Sequence, residues 1–511
     1  MAEAAARAAA AGLASRTIKF AVEGKGQMRK QASIRGRGSR GVVRLSRLSL
    51  VAVAALTAAA CGSSSTTTSS SSGSSAAAAN PGVPSALSVG SFTPDLSTTM
   101  GTLKSLTSYA TKGVNSLLIG VILPDTTSSV RWVDFDQPYL TDAFADAGFT
   151  SSEFSIQNAQ GSDPTQIDDA TADINLGAKV LVVTPLDGPT GVAIAALAAA
   201  HNVTLVDYDR AIFPASGTTY YVSFDNEKVG ELIGQGFLTC LTTDGVTAGQ
   251  TYVLNGGEDT DPNAISFATG YNKVVWGQAV DGNKTAIPAG TKSTAGGATL
   301  VGENFAPGWN NTAGGTIFQG AYTANKAINS SIEANDGLAA AVITDLQSDG
   351  VAAGKFPTTG QDATVQGMAY ILEGWQCGSV YKPIYLEAQD AVAMADILLS
   401  GNKVPAALMN SKTVDPAQTS ITEPASLLTA TFVTKANMES TVVKDGFDTA
   451  TAICAIAGAT VCTADGISYS ADGAFQPDPG RPLGGPGSHF SPLRGDRGER
   501  SNPLGQPTGE S

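Results

Sequence analysis

Residues 203–238, VTLVDYDRAIFPASGTTYYVSFDNEKVGELIGQGFL, constrain the fold of this chain more than any other stretch. They hold two buried-strand patterns (203–206 and 220–224), the charged pair Asp209 and Arg210 between them, and an amphipathic helix whose first turn is capped and charged over 225–228. A β-branched run followed at once by polar residues reads as a parallel strand delivering side chains to its carboxyl end, where open α/β sheets place their ligands. Before this stretch, from Ser116, strand patterns (LLIGVIL, FSIQ, KVLVVTP, VTLV) alternate with helical ones. After it the alternation restarts: TYVLNGG, a helix over 263–277, ATLVGE, a long helix over 312–334, a strand LAAAVITD and then GQDA. Such alternation means βαβ units and a parallel sheet wrapped by helices. Two series without a third predict an α/β protein with two similar Rossmann-like lobes.

The flanks differ from this body. Residues 1–50 hold eleven Lys/Arg against two Glu, so the formal charge of −14 becomes −23 without them. A body that acidic repels phosphate and excludes nucleic acid as a partner. From Met28, which we expect to be the true start, a basic run leads into LSLVAVAALTAAAC, an apolar segment of about a dozen residues as in secretory signals. The small residues before Cys61 resemble the site at which bacterial lipoproteins are cleaved and acylated, so Cys61 is the expected lipidation position. No downstream run reaches the roughly 18 apolar residues of a membrane span, so the expected product is exported and tethered to the outer face of the cell membrane by lipid alone. Residues 62–114 read as a Ser-rich linker and extension, and 466–511 as a disordered, Pro/Gly-rich tail in which the RGD at 494–496 is chance. Four cysteines follow Cys61 and permit three disulfide connectivities; Cys454 and Cys462, flanking a small-residue turn, are the favoured pair.

Several polar and aromatic side chains fall at expected strand ends: Asp125, Arg131 and Trp132 after the first strand, then Asp209 and Arg210, Trp309, Asp345 at the end of LAAAVITD, and Asp362. Lys382 lies beside a later crossing, and Asn263 opens a helix. One such residue is usually a cap or turn former. Many at one end of a sheet, with two of the chain's four tryptophans, suit a ligand that combines hydroxyls with an apolar face, as a sugar does.

The strings YDR and YVSFDNEKVGEL resemble the hinge region of the periplasmic D-xylose-binding proteins of bacterial ABC importers, within the ribose-binding-like group. Arg131–Trp132, Gly308–Trp309, GQDA at 360–363, VYKPI at 380–384 and TVVKDGF at 441–447 match the same family, and the resemblance covers roughly residues 116–448. It implies a periplasmic binding protein of type 1, with lobes of 115–224 plus 384–409 and 225–383 plus 410–465 joined by three crossings, the last near Met409. It implies that Arg131, Asp209, Arg210 and Asp362 hydrogen-bond a monosaccharide, D-xylose or a related aldose, while Trp132 and Trp309 stack on it, with Asn263, Asp345 and Lys382 completing the site. The family places an arginine where this chain has Ala268, and an asparagine before the strand-end aspartate where it has Thr344.

The expected role is that of a monomeric receptor delivering sugar to an ABC permease; a sensor presenting sugar to a chemoreceptor or histidine kinase, or a receptor for another sugar or polyol, is the alternative. An enzyme, a cofactor and a metal are not expected. The two histidines, His201 and His489, make no triad or zinc site, no CxxC occurs, and Asp207 and Asp209 are followed by Arg210, which suits hydrogen bonding better than acid catalysis. A sugar-sensing repressor would need an amino-terminal helix-turn-helix, and this chain carries an export signal and a serine spacer there.

Overall fold

The computed structural model describes residues 86–93, 100–107, 109–110, 112–214, 219–257, 260–281, 285–416, 418 and 420–467. The export segment with Cys61, the Ser-rich stretch up to residue 80 and the tail from residue 468 lie outside the described residues.

The first series of βαβ units builds one sheet. Strands β1 (Ile119–Leu123), β2 (Phe154–Asn158), β3 (Val180–Val183), β4 (Thr204–Tyr208) and β5 (Thr219–Phe224) pair in parallel in the order β2-β1-β3-β4-β5. β1 and β3 are buried along their whole length, which is why both read as unbroken apolar runs. Around this sheet run α1 (Gly101–Ser105), α2 (Gln137–Asp146), α3 (Asp163–Leu176) and α4 (Gly188–Ala200). Ser162 caps α3 and Asp187 caps α4 through their side chains. The strand order reverses at β1, so a crevice opens beyond the carboxyl ends of β1 and β3, the switch point of doubly wound sheets.

Past β5 the chain enters a second lobe. It holds α5 (Asn226–Thr243), β6 (Gly249–Asn255), α6 (Pro262–Trp276), β7 (Ala298–Phe305), α7 (Asn311–Ala324), β8 (Ser330–Glu333), α8 (Asp336–Ser348), β9 (Gly360–Gln361), α9 (Val365–Glu373) and β10 (Ser379–Tyr381). α5 and α6 pack unusually close. A Cβ on Gly230 would lie 2.1 Å from the Phe267 carbonyl oxygen, and one on Gly270 would lie 2.2 Å from that of Glu227. The sheet has two three-stranded parts, β7-β6-β8 and, with β13 (Thr431–Val433), β13-β10-β9. Glu333 joins them: its carboxylate accepts from Thr359 N at 3.0 Å, and its own N–H donates to Thr359 Oγ1 at 3.0 Å.

α10 (Ile384–Leu399) then returns to the first lobe and is buried almost throughout. The next segment corrects an expectation. Residues 410–428, expected in the second lobe, belong to the first: β11 (Ser411–Val414) and β12 (Thr422–Leu428) form a hairpin that extends the first sheet, with β12 parallel to β5 from Ala425↔Tyr221 to Leu428↔Phe224. The third crossing therefore follows Leu428, not Met409. TEPASLL hides its strand character because Glu423 and Pro424 interrupt the apolar pattern, while the uncovered edge of β5 supplies the pairing.

The chain ends, within the described residues, in two short helices, α11 (Ala450–Ala457) and α12 (Ala459–Ala464), stapled by a Cys454–Cys462 disulfide. A second disulfide, Cys240–Cys377, ties the end of α5 to the segment before β10 across 137 residues of sequence. No helix among the described residues is long and apolar enough to cross a membrane.

Two measurements test this architecture. Replacing Cys240 and Cys377 by serine removes a long closed loop and is expected to cost about 2–5 kcal/mol in a denaturant titration. Burial also pushes several carboxyls upward, to about 7 at Glu333, Asp390 and Glu423 and about 6 at Asp173 and Asp396. Unfolded carboxyls titrate near 4 (about 3.9–4.3), so the folded state holds protons that the unfolded chain has released. Their stabilising effect is complete below about pH 4 and is lost as pH rises through 6 to 7. Melting temperature should fall from pH 5 to pH 8 by roughly several degrees; a flat profile would show that these groups are not buried as described.

Candidate sugar-binding cleft

The cleft forms where loops from the two lobes face each other. From the first lobe, β1 leads through Asp125, whose carboxylate accepts from Thr127 N, Ser128 N and Ser128 Oγ at 2.6–2.7 Å. This pinned turn presents Ser128, Ser129, Arg131 and Trp132, the last donating from its indole to Ser128 Oγ at 3.0 Å. A wide π-type turn, Trp132–Asp136, follows and carries the chain into α2. β4 delivers Asp209 and Arg210.

Arg131 is 1% exposed and lies among three carboxylates. Its Nε and Nη2 donate to Asp136 at 2.8 and 2.7 Å, Nη2 also to Glu387 at 2.8 Å, and Nη1 to Asp209 at 2.5 Å. Glu387 comes from α10, so the returning helix supplies part of the site. Burial pushes Asp136 and Glu387 upward against the pull of Arg131. At Asp209 burial acts the same way, but Arg131, Lys382 and Arg210 outweigh it and hold the carboxyl at about 2. Asp209 adopts a left-handed backbone (φ 63°), and its carbonyl accepts from Tyr221 OH, Ser223 Oγ and Asn263 Nδ2 at 2.7–2.9 Å. Trp309 (φ 57°) and Asp362 (φ 92°) are strained in the same sense, a state that persists only where the surroundings over-determine it.

The second lobe contributes Asn263, Phe267, Trp309, Asn335, Gln361, Asp362 and Lys382. Trp309 donates its indole N–H to Asp261 at 2.7 Å, and its ring lies where any side chain on Gly256 would be, 1.8 Å from the Cβ position. Lys382, at the crossing from β10 to α10, stands 3.5 Å from Asp209 and 3.4 Å from Asp362. The lobes meet directly. Ser129 Oγ donates to Asp362 at 2.8 Å, Asn335 Nδ2 to the Ser128 carbonyl at 3.3 Å and Asn263 Nδ2 to Asp209 Oδ1 at 3.0 Å, while Arg210 Nε lies 3.7 Å from Asp261. The space enclosed is about 20 Å³, room for roughly one water. A hollow of about 740 Å³ beside Trp375, Phe432 and the Cys240–Cys377 bond is larger but lined by the second lobe alone, with Asp244 and Lys435 as its charged lining residues.

Of the side chains singled out from sequence, Arg131, Trp132, Asp209, Arg210, Asn263, Trp309, Asp362 and Lys382 line this cleft. Asp345 does not. LAAAVITD is helical, within α8, and the strand is the preceding Ser330–Glu333. Asp345 is nearly three turns further along that helix, whereas Asn335, which caps α8 by accepting from Leu338 N at 2.9 Å, reaches the cleft. The asparagine–aspartate pair sought at Thr344–Asp345 is thus Asn335–Asp336; Thr344 is exposed and donates to the Ala340 carbonyl. Asn335 followed by Asp336 ahead of an alanine-rich run is a helix-start signal that could have placed it. Ala268 is fully buried in the second lobe's core, and its neighbour Phe267 faces the cleft. Ser128 and Ser129 carried no sequence signal. Among the described residues, Cys240, Cys377 and Asp244 bring three ligand-type atoms within 4.8 Å, but the two sulfurs are bonded to each other and offer no thiolate.

The comparisons with known proteins agree with this geometry. Residues 119–403 match the periplasmic binding protein domain. The D-xylose-binding periplasmic protein of Escherichia coli (strain K12) is 34% identical over 294 residues, 57% of this chain and 80% of that protein. The chain belongs to the periplasmic binding protein family, in its ribose- and xylose-binding-like group. The D-xylose-binding periplasmic protein of Haemophilus influenzae is 32% identical, over 58% of this chain and 80% of that one. Among solved structures, a carbohydrate transporter solute-binding protein from Chloroflexus aurantiacus, in complex with D-glucose, superposes with a TM-score of 0.54 at 24% identity, covering 66% of this chain and 97% of its own. The type 1 fold expected from sequence is therefore borne out.

Arg131→Ala leaves Asp136, Asp209 and Glu387 buried without their common cation, and breaking one side of such a network costs about 3–5 kcal/mol. Its melting temperature should drop well below that of Arg210→Ala, whose guanidinium has fewer anionic partners; equal melts would show that Arg131 does not hold the site together.

Proposed function

We propose that this protein is an extracytoplasmic receptor that encloses a monosaccharide, D-xylose or a related aldose, between its lobes and hands it to an ABC permease. The observation that carries the reading is the set of donors and acceptors facing each other between two tryptophans of opposite lobes: Arg131, Asp209 and Arg210 beside Trp132 on one side, Asp362 and Lys382 beside Trp309 on the other. Planar charged groups suit vicinal hydroxyls and aromatic faces suit the C–H surface of a sugar ring. Three cations, Arg131, Arg210 and Lys382, face two carboxylates, Asp209 and Asp362, and Arg131 is further paired with Asp136 and Glu387, so no cation is left over for a sugar acid and a neutral ligand is favoured. The D-xylose-binding relatives support an aldose.

Binding proceeds by exchange. The Ser129–Asp362 and Ser128–Asn335 contacts occupy the space a sugar needs, so the lobes separate to admit it and close again around it. Arg131 uses four of its five N–H groups within the protein, leaving one on Nη1 for a hydroxyl. The sugar shifts the open–closed equilibrium by the contacts it makes in the closed form alone. In this reading Cys61 carries the lipid that tethers the receptor to the membrane.

A thermal-shift series against xylose, ribose, arabinose, glucose, galactose and polyols tests the reading. Ligand at 100 times its dissociation constant stabilises by about 2.7 kcal/mol, a rise of roughly several degrees. Arg210→Ala should keep the fold and lose about 2 kcal/mol or more of affinity, because buried hydroxyls then lack a partner. No shift with any sugar would remove the proposal.

A further inference from the structure

The hollow of about 740 Å³ on the second lobe shares no residue with the sugar cleft. Its walls come from α5, the end of α9 and β13. Trp375 and Phe432 are half-buried in it, with Leu232 and Ile371 also lining it. Phe432 is wedged in place: a Cβ on Gly236 would lie 2.1 Å from its ring, and one on Gly378 would lie 2.3 Å from it. The half-buried Cys240–Cys377 bond is part of the same lining. Two charged residues complete it. Lys435 is engaged, donating to the Leu372 carbonyl at 2.5 Å and to Asp465 at 3.0 Å. Asp244 is placed differently. Its Oδ2 stands 3.6 Å from Cys240 Sγ, a sulfur bonded to Cys377 with no proton to donate, and burial pushes the carboxyl upward against the weaker pull of Lys355. The hollow thus suits a segment that lays apolar rings on Trp375 and Phe432 and brings one cation to Asp244.

The chain itself carries such a segment. The described residues end at Ile467, which is buried and donates its N–H to the Cys462 carbonyl at 2.9 Å. Two residues earlier, Asp465 is bound to Lys435, one of the lining residues, so the chain leaves the body beside the hollow. Of the prolines in residues 468–511, Pro479 and Pro482 are the one pair three apart, and Arg481 between them is the first lysine or arginine after Lys444. In a polyproline II helix three residues make a turn, so Pro479 and Pro482 fall on one face with Arg481 beside them. Turns of this kind seat on aromatic-lined grooves at low entropic cost. The dozen or so residues from Ile467 to Pro479 span up to about 40 Å, ample for a site that begins beside Asp465. We propose that residues 477–483, PDPGRPL, occupy this hollow in the same molecule, with Pro479 and Pro482 on Trp375 and Phe432 and Arg481 at Asp244, and that the docked segment shields the Cys240–Cys377 disulfide. Being tethered, the segment acts at a roughly millimolar effective concentration, so weak contacts suffice.

The experiment follows reduction of both disulfides in the full-length protein by dithiothreitol, with the freed thiols trapped by alkylation and each cysteine read by mass spectrometry. The buried Cys454–Cys462 bond is the internal reference. Pro479→Ala combined with Pro482→Ala, and separately Arg481→Glu, should speed reduction of Cys240–Cys377 about fivefold and leave Cys454–Cys462 unchanged. Asp244→Arg should speed it as well, and joining it to Arg481→Glu should slow it again toward the wild-type rate, a rescue that general loosening would not give. A synthetic peptide of residues 475–485, added in excess to the double-proline variant, should restore protection. Wild-type rates in the proline and Arg481 variants overturn the proposal, as does an equal gain at both disulfides. Protection that fades when the wild-type protein is diluted would assign the hollow to the tail of a second copy and overturn docking within the chain. None of these measurements uses a sugar, so the outcome is independent of the receptor reading.

Discussion

One buried carboxylate, Asp209, holds the molecule together where the chain passes between its lobes. Its side chain accepts from Arg131, which follows β1, and from Asn263, at the start of α6, and it stands 3.5 Å from Lys382 at the β10–α10 crossing. Its carbonyl oxygen accepts three more hydrogen bonds, two of them from Tyr221 and Ser223 in β5. Segments far apart in sequence thus converge on one residue. A charge buried to this depth is tolerable only when it is fully paired, and that demand fixes the positions of its partners. The left-handed backbone at Asp209 is held by the same three bonds.

This network also explains how the lobes remain closed with so little space between them. Asp209 and Asp362 are joined through Lys382, and serines of the first lobe reach Asp362 and Asn335 of the second. In the receptor role proposed above, each contact is exchanged for a ligand hydroxyl of comparable geometry, and the net driving force is a difference between similar terms. A ligand lacking one hydroxyl would leave a buried group unpaired, which is how such a site discriminates.

Much of the cleft was legible in the sequence because a parallel strand ends where ligands bind. Arg131, Trp132, Asp209 and Arg210 each follow a short apolar run with a recognisable stop. The run SSIEANDGLAAAVITD misleads for a physical reason: its alanines, Val342 and Ile343 satisfy strand and helix patterns alike, so the apolar maximum reads as the strand when the strand is the more polar SSIE. Placing it there moved the site residue from Asp345 back to Asn335. The hairpin of β11 and β12 was missed because its pairing partner, β5, lies some two hundred residues earlier, and Pro424 with Glu423 masks the local pattern. Glu387 and Asp136 gave no local sign of meeting Arg131, since nothing in an individual helix says which buried acid will face which buried base.

Hydrophobic periodicity and capping residues act over short distances, so the class of fold, the two-lobed arrangement and the strand ends that carry the cleft-facing side chains are written locally in the chain. Packing alone settles where the chain makes its last crossing, which of two neighbouring acidic segments lines the cleft, that Cys240 meets Cys377 and how three carboxylates gather around Arg131. Those outcomes depend on which sheet edge is uncovered and which buried charges must find one another, and both are properties of the packed whole.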